Sequence, residues 1–253
     1  MKKRVSLILA SAMALGLILS GCGGSQGTDA ETAGGETAAA QTSGASTGSS
    51  VDTSGYLVAV LNADIQTTDA QKTTKDYEIP WNIYDRLVEV DVAEDGTSSI
   101  EPSLAESWEI SPDGLEYTFH LREGVKFHNG NDFTAEDVVY TFNRMLTETG
   151  TVNTEVVDQI KGSDEVLAGT AESIEGVEAV DDYTLKVTLK EPFAAFLACL
   201  STAGASIYDS EATAAAGDQF AMDASVTVGT GPFKFESWTL NARLVLTRNA
   251  RYW

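Results

Sequence analysis

Two cysteines and two histidines are all that this chain of 253 residues contains, and their scarcity removes several chemistries together. No CxxC pair and no HExxH can be written. His120 and His128 alone do not make a metal centre, because a closed site needs three or four converging ligands. Basic residues are also sparse: 16 Lys+Arg stand against 38 Asp+Glu, for a net charge of −22. Nothing in that balance would neutralise phosphates, so nucleic acid is excluded as a partner. No nucleophile elbow and no supported Ser-His-Asp ordering occurs. Adjacent carboxylates such as Asp181 and Asp182 fall in a turn and point apart. No catalytic residue, metal ligand or cofactor is expected.

Long apolar runs are equally rare. Residues 5–19 form one, broken only by small residues and preceded by Met1-Lys2-Lys3-Arg4. It is too short and too rich in small residues for a good membrane span, and reads as a signal sequence over 1–21. Leu19-Ser20-Gly21-Cys22 resembles a bacterial lipobox, which implies cleavage before Cys22 and lipidation of its thiol. Two acyl signals on one residue suffice for stable membrane anchoring. Residues 23–50 hold no aromatic or large aliphatic side chain. The stretch 22–54 is therefore expected to be a flexible linker with a reach of roughly 30 Å. With Cys22 lipidated, Cys199 is left without a partner, so no intrachain disulfide is expected. Its apolar neighbourhood, residues 193–200, suits a small buried hydrophobe.

The remaining 55–253 alternate strand and helix signals. Residues 56–61, YLVAVL, read as a central strand, and 62–76 as a polar loop. Pro80 fits the first turn of a helix running through Arg86. Glu94-Asp95-Gly96 is a hairpin turn. Pro102 fits the opening of a short helix over 103–108. Ser111-Pro112-Asp113-Gly114 is a turn. Leu115, Tyr117, Phe119 and Leu121 alternate with polar residues, as in a strand with one buried face, which puts His120 on the wet side. Thr134 stands three residues before Asp137 in an acidic variant of the capping box, and Val138, Val139, Phe142, Met145 and Leu146 follow at helical spacing. A helix is possible around 156–167 with a break at Gly162. Residues 177–189 form two strands about Asp181-Asp182. Residues 193–200 are a short buried helix or an extended core segment, 209–216 a helix, and 233–238 and 244–246 a strand pair around Asn241. Val228-Gly229-Thr230-Gly231-Pro232 is not a phosphate loop: it lacks the Gly-Lys-Ser/Thr ending, and a strand follows.

Several of these blocks carry a resemblance. SLAESWEISPDGLEYTFHLREGVKFHNG followed by FTAEDVVYTFNRM resembles the signature region of the family 5 extracellular solute-binding proteins, the peptide-binding and nickel-binding receptors of ABC importers. NIYDRLVEVD, VEAVDDYTLKVTLKEPFAAFLACL, VGTGPFKFESW and LTRNARYW are similar to further blocks of that family and stand in the same order, so the resemblance runs over 56–253. It implies an α/β, periplasmic-binding-protein-like fold (type II, cluster C). The first lobe would be built from 55–90 and 178–253 with a smaller α+β subdomain, 91–177, inserted, and the second large lobe would be missing. It also implies ligand contacts from Thr73, Thr74, Lys75, Asp76 and Tyr77, and an inter-lobe junction at Gly229, Thr230, Gly231 and Pro232. This chain departs from the family at Asp69-Ala70-Gln71, where members commonly have a DPH-like turn.

The function implied is a non-enzymatic, lipid-anchored receptor. It would sit outside the cell membrane and deliver a peptide or other small solute to an ABC permease and its ATPase subunits. As an amino-terminal fragment it is expected not to close on ligand alone. Two other classes stay open: an exported lipid-anchored hydrolase, which needs a carboxylate pair that the sequence does not mark, and a surface adhesion or signalling lipoprotein.

Overall fold

The structure is a computed structural model and describes residues 65–253. Cys22, the expected signal and linker, and the expected strand at 56–61 lie outside the described residues.

Helix α1 (Pro80–Ile83) starts at Pro80, whose absent N–H costs nothing in a first turn. It is shorter than expected: Tyr84 turns extended at φ −119°, ψ 152°, and Tyr84, Asp85 and Arg86 leave the helix. Strands β1 (Val88–Val92) and β2 (Ser98–Pro102) form an antiparallel hairpin with Val90 opposite Ile100. Gly96 closes it at φ 83°, a conformation that a side chain would strain.

The helix expected over 103–108 is a strand instead. β3 (Ala105–Ile110) pairs antiparallel with β4 (Glu116–Leu121), and Trp108 faces Phe119. Six residues are too few to sustain a helix alone, whereas the ladder with β4 satisfies their backbone groups and gives Trp108 an aromatic neighbour. β4 follows the alternation, with Tyr117, Phe119 and Leu121 buried and His120 exposed. The Ser111 turn closes by a Gly114 N–H to Ser111 O bond of 2.8 Å.

Helix α2 (Ala135–Thr147) opens where the capping pattern put it, with the Thr134 N–H donating to the Asp137 carboxylate at 2.9 Å. Its buried stripe is Val138, Phe142 and Met145. Helix α3 (Ser163–Leu167) begins after Gly162, which sits at φ 91°. Strands β5 (Val177–Asp181) and β6 (Thr184–Thr188) join the earlier pair in one antiparallel sheet ordered β3-β4-β6-β5. The ambiguous apolar run becomes helix α4 (Phe196–Leu200), which buries Phe196 and Leu200 one turn apart. Helix α5 (Ser210–Ala216) is capped by Asp209, whose carboxylate accepts the Ala212 N–H at 2.8 Å. β7 (Phe233–Thr239) and β8 (Arg243–Arg248) form a hairpin around Asn241, at φ 58°.

Apolar side chains gather in two clusters. The larger runs from Leu87 to Ile207 and packs α2 on the four-stranded sheet and α4 against β1, with Phe196 of α4 edge-on to Tyr117 of β4. The smaller holds Ile83, Tyr84, Tyr208, Phe220 and Ala221. β6 pairs with β4 and carries its hairpin partner β5 into the same sheet, so the larger cluster draws residues from both sides of 177/178.

Candidate functional site

A concavity of about 560 Å³ opens between α1, the start of β1 and the segment after α4. Tyr77, Trp81, Arg86, Glu89, Val90, Ser201, Thr202 and Ala203 line it. Pro80 sets the angle of α1, so Trp81 projects outward at 44% exposure while Ile83 and Tyr84 turn to the core. Arg86 lies under the Trp81 ring, its guanidinium carbon 4.1 Å from the ring centroid, in cation–π contact.

The expected ligand loop is ordered from within. Asn153 Nδ2 donates to Ala70 O at 2.6 Å and Thr73 O at 2.9 Å, and Tyr77 Oη donates to Thr73 O at 2.7 Å. Thr73 Oγ1 donates to Lys75 O at 2.7 Å, so Thr73 spends its hydroxyl on the loop. Thr74 and Lys75 are exposed, and Asp76 takes a left-handed φ of 61°. Of residues 73–77, Tyr77 alone lines the concavity.

The turn 229–232 reaches the opposite side of the same segment. Gly231 N–H donates to Ile83 O at 3.1 Å, and Thr230 Oγ1 donates to the Asp85 carboxylate at 2.8 Å. Both glycines are required by proximity: a Cβ on Gly229 would run into the Ile83 carbonyl, and one on Gly231 would come within 2.7 Å of Asn82 O. Asp85 is buried and also accepts from Tyr252 Oη and Trp253 Nε1, each at 3.3 Å. Burial pushes its carboxyl above the usual range, against these donors and Arg86.

Two features escaped the sequence. One is His128, a clasp on 229–232. Its Nδ1 accepts the Gly229 N–H at 3.1 Å, its Nε2 lies 3.0 Å from Gly231 O, and its own N–H donates to Gly229 O at 2.9 Å. An accepting Nδ1 leaves the proton on Nε2, so the ring is neutral. Burial is the main cause of its lowered pKa, with Lys234 and Arg251 adding to it and the Gly231 carbonyl opposing. The other feature is the departure at Asp69-Ala70-Gln71, a turn whose side chains are buried. Arg144 Nη2 donates to Asp69 Oδ2 at 2.7 Å, Arg144 Nη1 to Gln71 Oε1 at 2.5 Å, and Tyr208 Oη to Asp69 Oδ1 at 3.0 Å. No local signal marked Asp69 and Gln71, because their partner Arg144 stands more than seventy residues away in sequence. Among the described residues no His, Cys, Asp or Glu cluster is placed to hold a metal ion.

The arrangement offers stacking, ionic and hydrogen-bonding groups to a ligand. Two aromatic rings, a buried guanidinium, a carboxylate and three hydroxyls converge there. Comparison with known proteins agrees. Residues 99–253 match the family model described as bacterial extracellular solute-binding proteins, family 5 middle. Heme-binding protein A of Haemophilus influenzae is 41% identical over 182 residues, covering 68% of this chain and 32% of its own length. Di/tripeptide-binding protein 4 of Pseudomonas aeruginosa is 38% identical over 167 residues, covering 62% and 31%. The substrate-binding domain of an oligopeptide ABC transporter from Bacillus anthracis superposes with a TM-score of 0.71 at 30% identity, covering 77% of this chain and 38% of that one. The chain thus spans about a third of the length of the curated relatives it matches.

Proposed function

The chain belongs to the bacterial extracellular solute-binding proteins of family 5, and on that premise we propose that it is the substrate-binding part of an ABC importer for dipeptides or oligopeptides, held outside the cell membrane by lipid on Cys22. Its described part has the α/β fold of the type II periplasmic binding proteins. Relatives in this family are binding proteins and not enzymes. The observation that carries the peptide reading is the family match over 99–253 together with relatives described as dipeptide-, di/tripeptide- and oligopeptide-binding. The concavity beside Tyr77, with Trp81 as an apolar wall, supports that reading by offering both stacking and hydrogen-bonding groups. A permease and its ATPase subunits are the proposed partners.

In this reading the segments 55–90 and 178–253 build the first lobe around an inserted α+β subdomain, 91–177, with the 229–232 turn at its junction. Closure on peptide draws on contacts from both walls of such a site, and the concavity beside Tyr77 is one of them. Calorimetric titration of the full chain with a dipeptide, a tripeptide, a nonapeptide, haem and a disaccharide tests this. Saturable binding of peptides supports it. Haem bound more tightly than every peptide, or no response to any peptide, contradicts it. Anchoring is tested by labelling cells with radioactive palmitate. Cys22→Ser should lose both the label and the membrane fraction, and a variant still in the membrane fraction would refute the anchor.

A further inference from the structure

We propose that Arg86 is an anion-recognition residue, whose guanidinium receives a carboxylate of the solute held in the concavity beside Tyr77. The proposal rests on the solute-binding reading and assigns a ligand chemistry to one wall of that cavity.

The argument begins with a mismatch between burial and bonding. Arg86 is 5% exposed, yet its donors are almost unused. Nη1 reaches Tyr84 O at only 3.5 Å, Nη2 stands 3.7 Å from the Glu89 carboxylate, and Nε has no hydrogen-bond partner among the described residues. The adjacent Asp85 carboxylate is occupied by Thr230, Tyr252 and Trp253. Arg144 shows what a completed buried arginine looks like in this protein. Its fork meets Asp69 at 2.7 and 3.4 Å and Gln71 at 2.5 Å. A guanidinium withdrawn from water with its fork unfilled is costly, and a planar carboxylate is the group that fills it with two parallel bonds.

The surrounding groups fit the same ligand. Trp81 covers one face of the guanidinium and fixes its plane. Ser201 and Thr202 donate their hydroxyl protons to Ala198 O at 2.7 Å and Cys199 O at 2.8 Å, which leaves oxygen lone pairs for ligand N–H groups. Val90 and Ala203 supply apolar wall. Glu89 is the rival anion; its side chain is half exposed and can swing into solvent when a ligand carboxylate enters. The chemistry suits either the free end of a peptide or an acidic side chain.

The test follows the Arg86 Nε–H signal of the ¹⁵N-labelled full chain by NMR during titration with three probes: alanyl-alanine, its C-terminal amide, and aspartyl-alanine amide. Alanyl-alanine should move that signal, and the amide should need about tenfold more ligand or fail to move it. The protein's acidic field favours the more cationic amide, so a preference for the acid must come from a local contact. A response to aspartyl-alanine amide as well would extend the site to side-chain carboxylates. Arg86→Lys keeps the charge but not the fork and should narrow the difference between acid and amide. Glu89→Gln removes the rival and should strengthen binding of the acid. An Nε–H signal that ignores every carboxylate, or answers acid and amide alike, overturns the proposal. If residues 73–77 still respond in that case, the solute-binding reading survives; if no signal responds to any probe, both fall.

Discussion

The four-stranded sheet and the junction around α1 are held together by opposite means. In the sheet, Phe119 and Leu185 stand opposite one another on β4 and β6, both fully buried, and each strand lies one turn away from a hairpin partner. At the junction, backbone meets backbone across 83 and 229–231, and the side chains of His128, Asn249 and Thr230 complete the bonds; beside it, Tyr208 packs on Tyr84 and its hydroxyl donates to the buried Asp69–Arg144 pair. The sheet gains from apolar area and tolerates solvent at its edges. The junction gains from polar groups that are satisfied only when every partner is in place. A small perturbation should therefore loosen the sheet by degrees and the junction all at once.

The largest effects separate the two kinds of cohesion. Phe119→Ala should cost about 3–5 kcal/mol through lost burial and a residual cavity. Asp69→Ala should cost a similar ~3–5 kcal/mol, because it strands the buried Arg144 guanidinium and the Tyr208 hydroxyl. Denaturant titration of the double variants tells them apart. Adding Arg144→Met to Asp69→Ala should recover much of the loss, whereas adding it to Phe119→Ala should not; equal behaviour would erase the distinction.

A smaller effect probes the close approach. Gly229→Ala places a methyl on the Ile83 carbonyl and should cost about 1–3 kcal/mol. Gly96→Ala, also a glycine but in open space at positive φ, should cost only about 1 kcal/mol. Equal midpoints would show that proximity at 83 is not what fixes the turn.

The smallest effect is a pH dependence confined to the junction. His128 holds the turn as a neutral ring, and its pKa in the folded state lies below the unfolded value of about 6.5. Its contribution is therefore fully present above that value and is lost as pH falls through the folded pKa. The charged groups acting on it are Lys234 and Arg251, both of which disfavour a second cation. Melting curves of the parent and of His128→Gln between pH 7 and pH 5 should converge toward the acid end. Parallel curves would show that the ring does not titrate there.

These contrasts also explain what could be read in advance. The β4 alternation, the Thr134–Asp137 cap, the Gly162 break and the Asn241 turn are local patterns, and all appear in the structure. The strand at 105–110 was hidden because Pro102 looks like a helix start, while the pairing that decides the matter comes from β4. The extent of the larger core was hidden by the same cause, since the β4–β6 ladder bridges more than sixty residues. Within the candidate site, Tyr77 was reached through a family resemblance. Trp81 and Arg86 were passed over as helix residues, because α1 ends three residues early and turns Arg86 out of the helix and under the indole. His128 gave no local sign, as its partners lie about a hundred residues downstream.

The central claim is that the wall formed by Tyr77, Trp81, Ser201 and Thr202 is where solute meets this chain. Backbone amide shifts of the full chain during titration with a tripeptide test it directly. The account predicts saturable perturbations at those four residues, with the 229–232 turn moving less. A tripeptide that binds while leaving them still, or that perturbs only the sheet of β3 to β6, would contradict it.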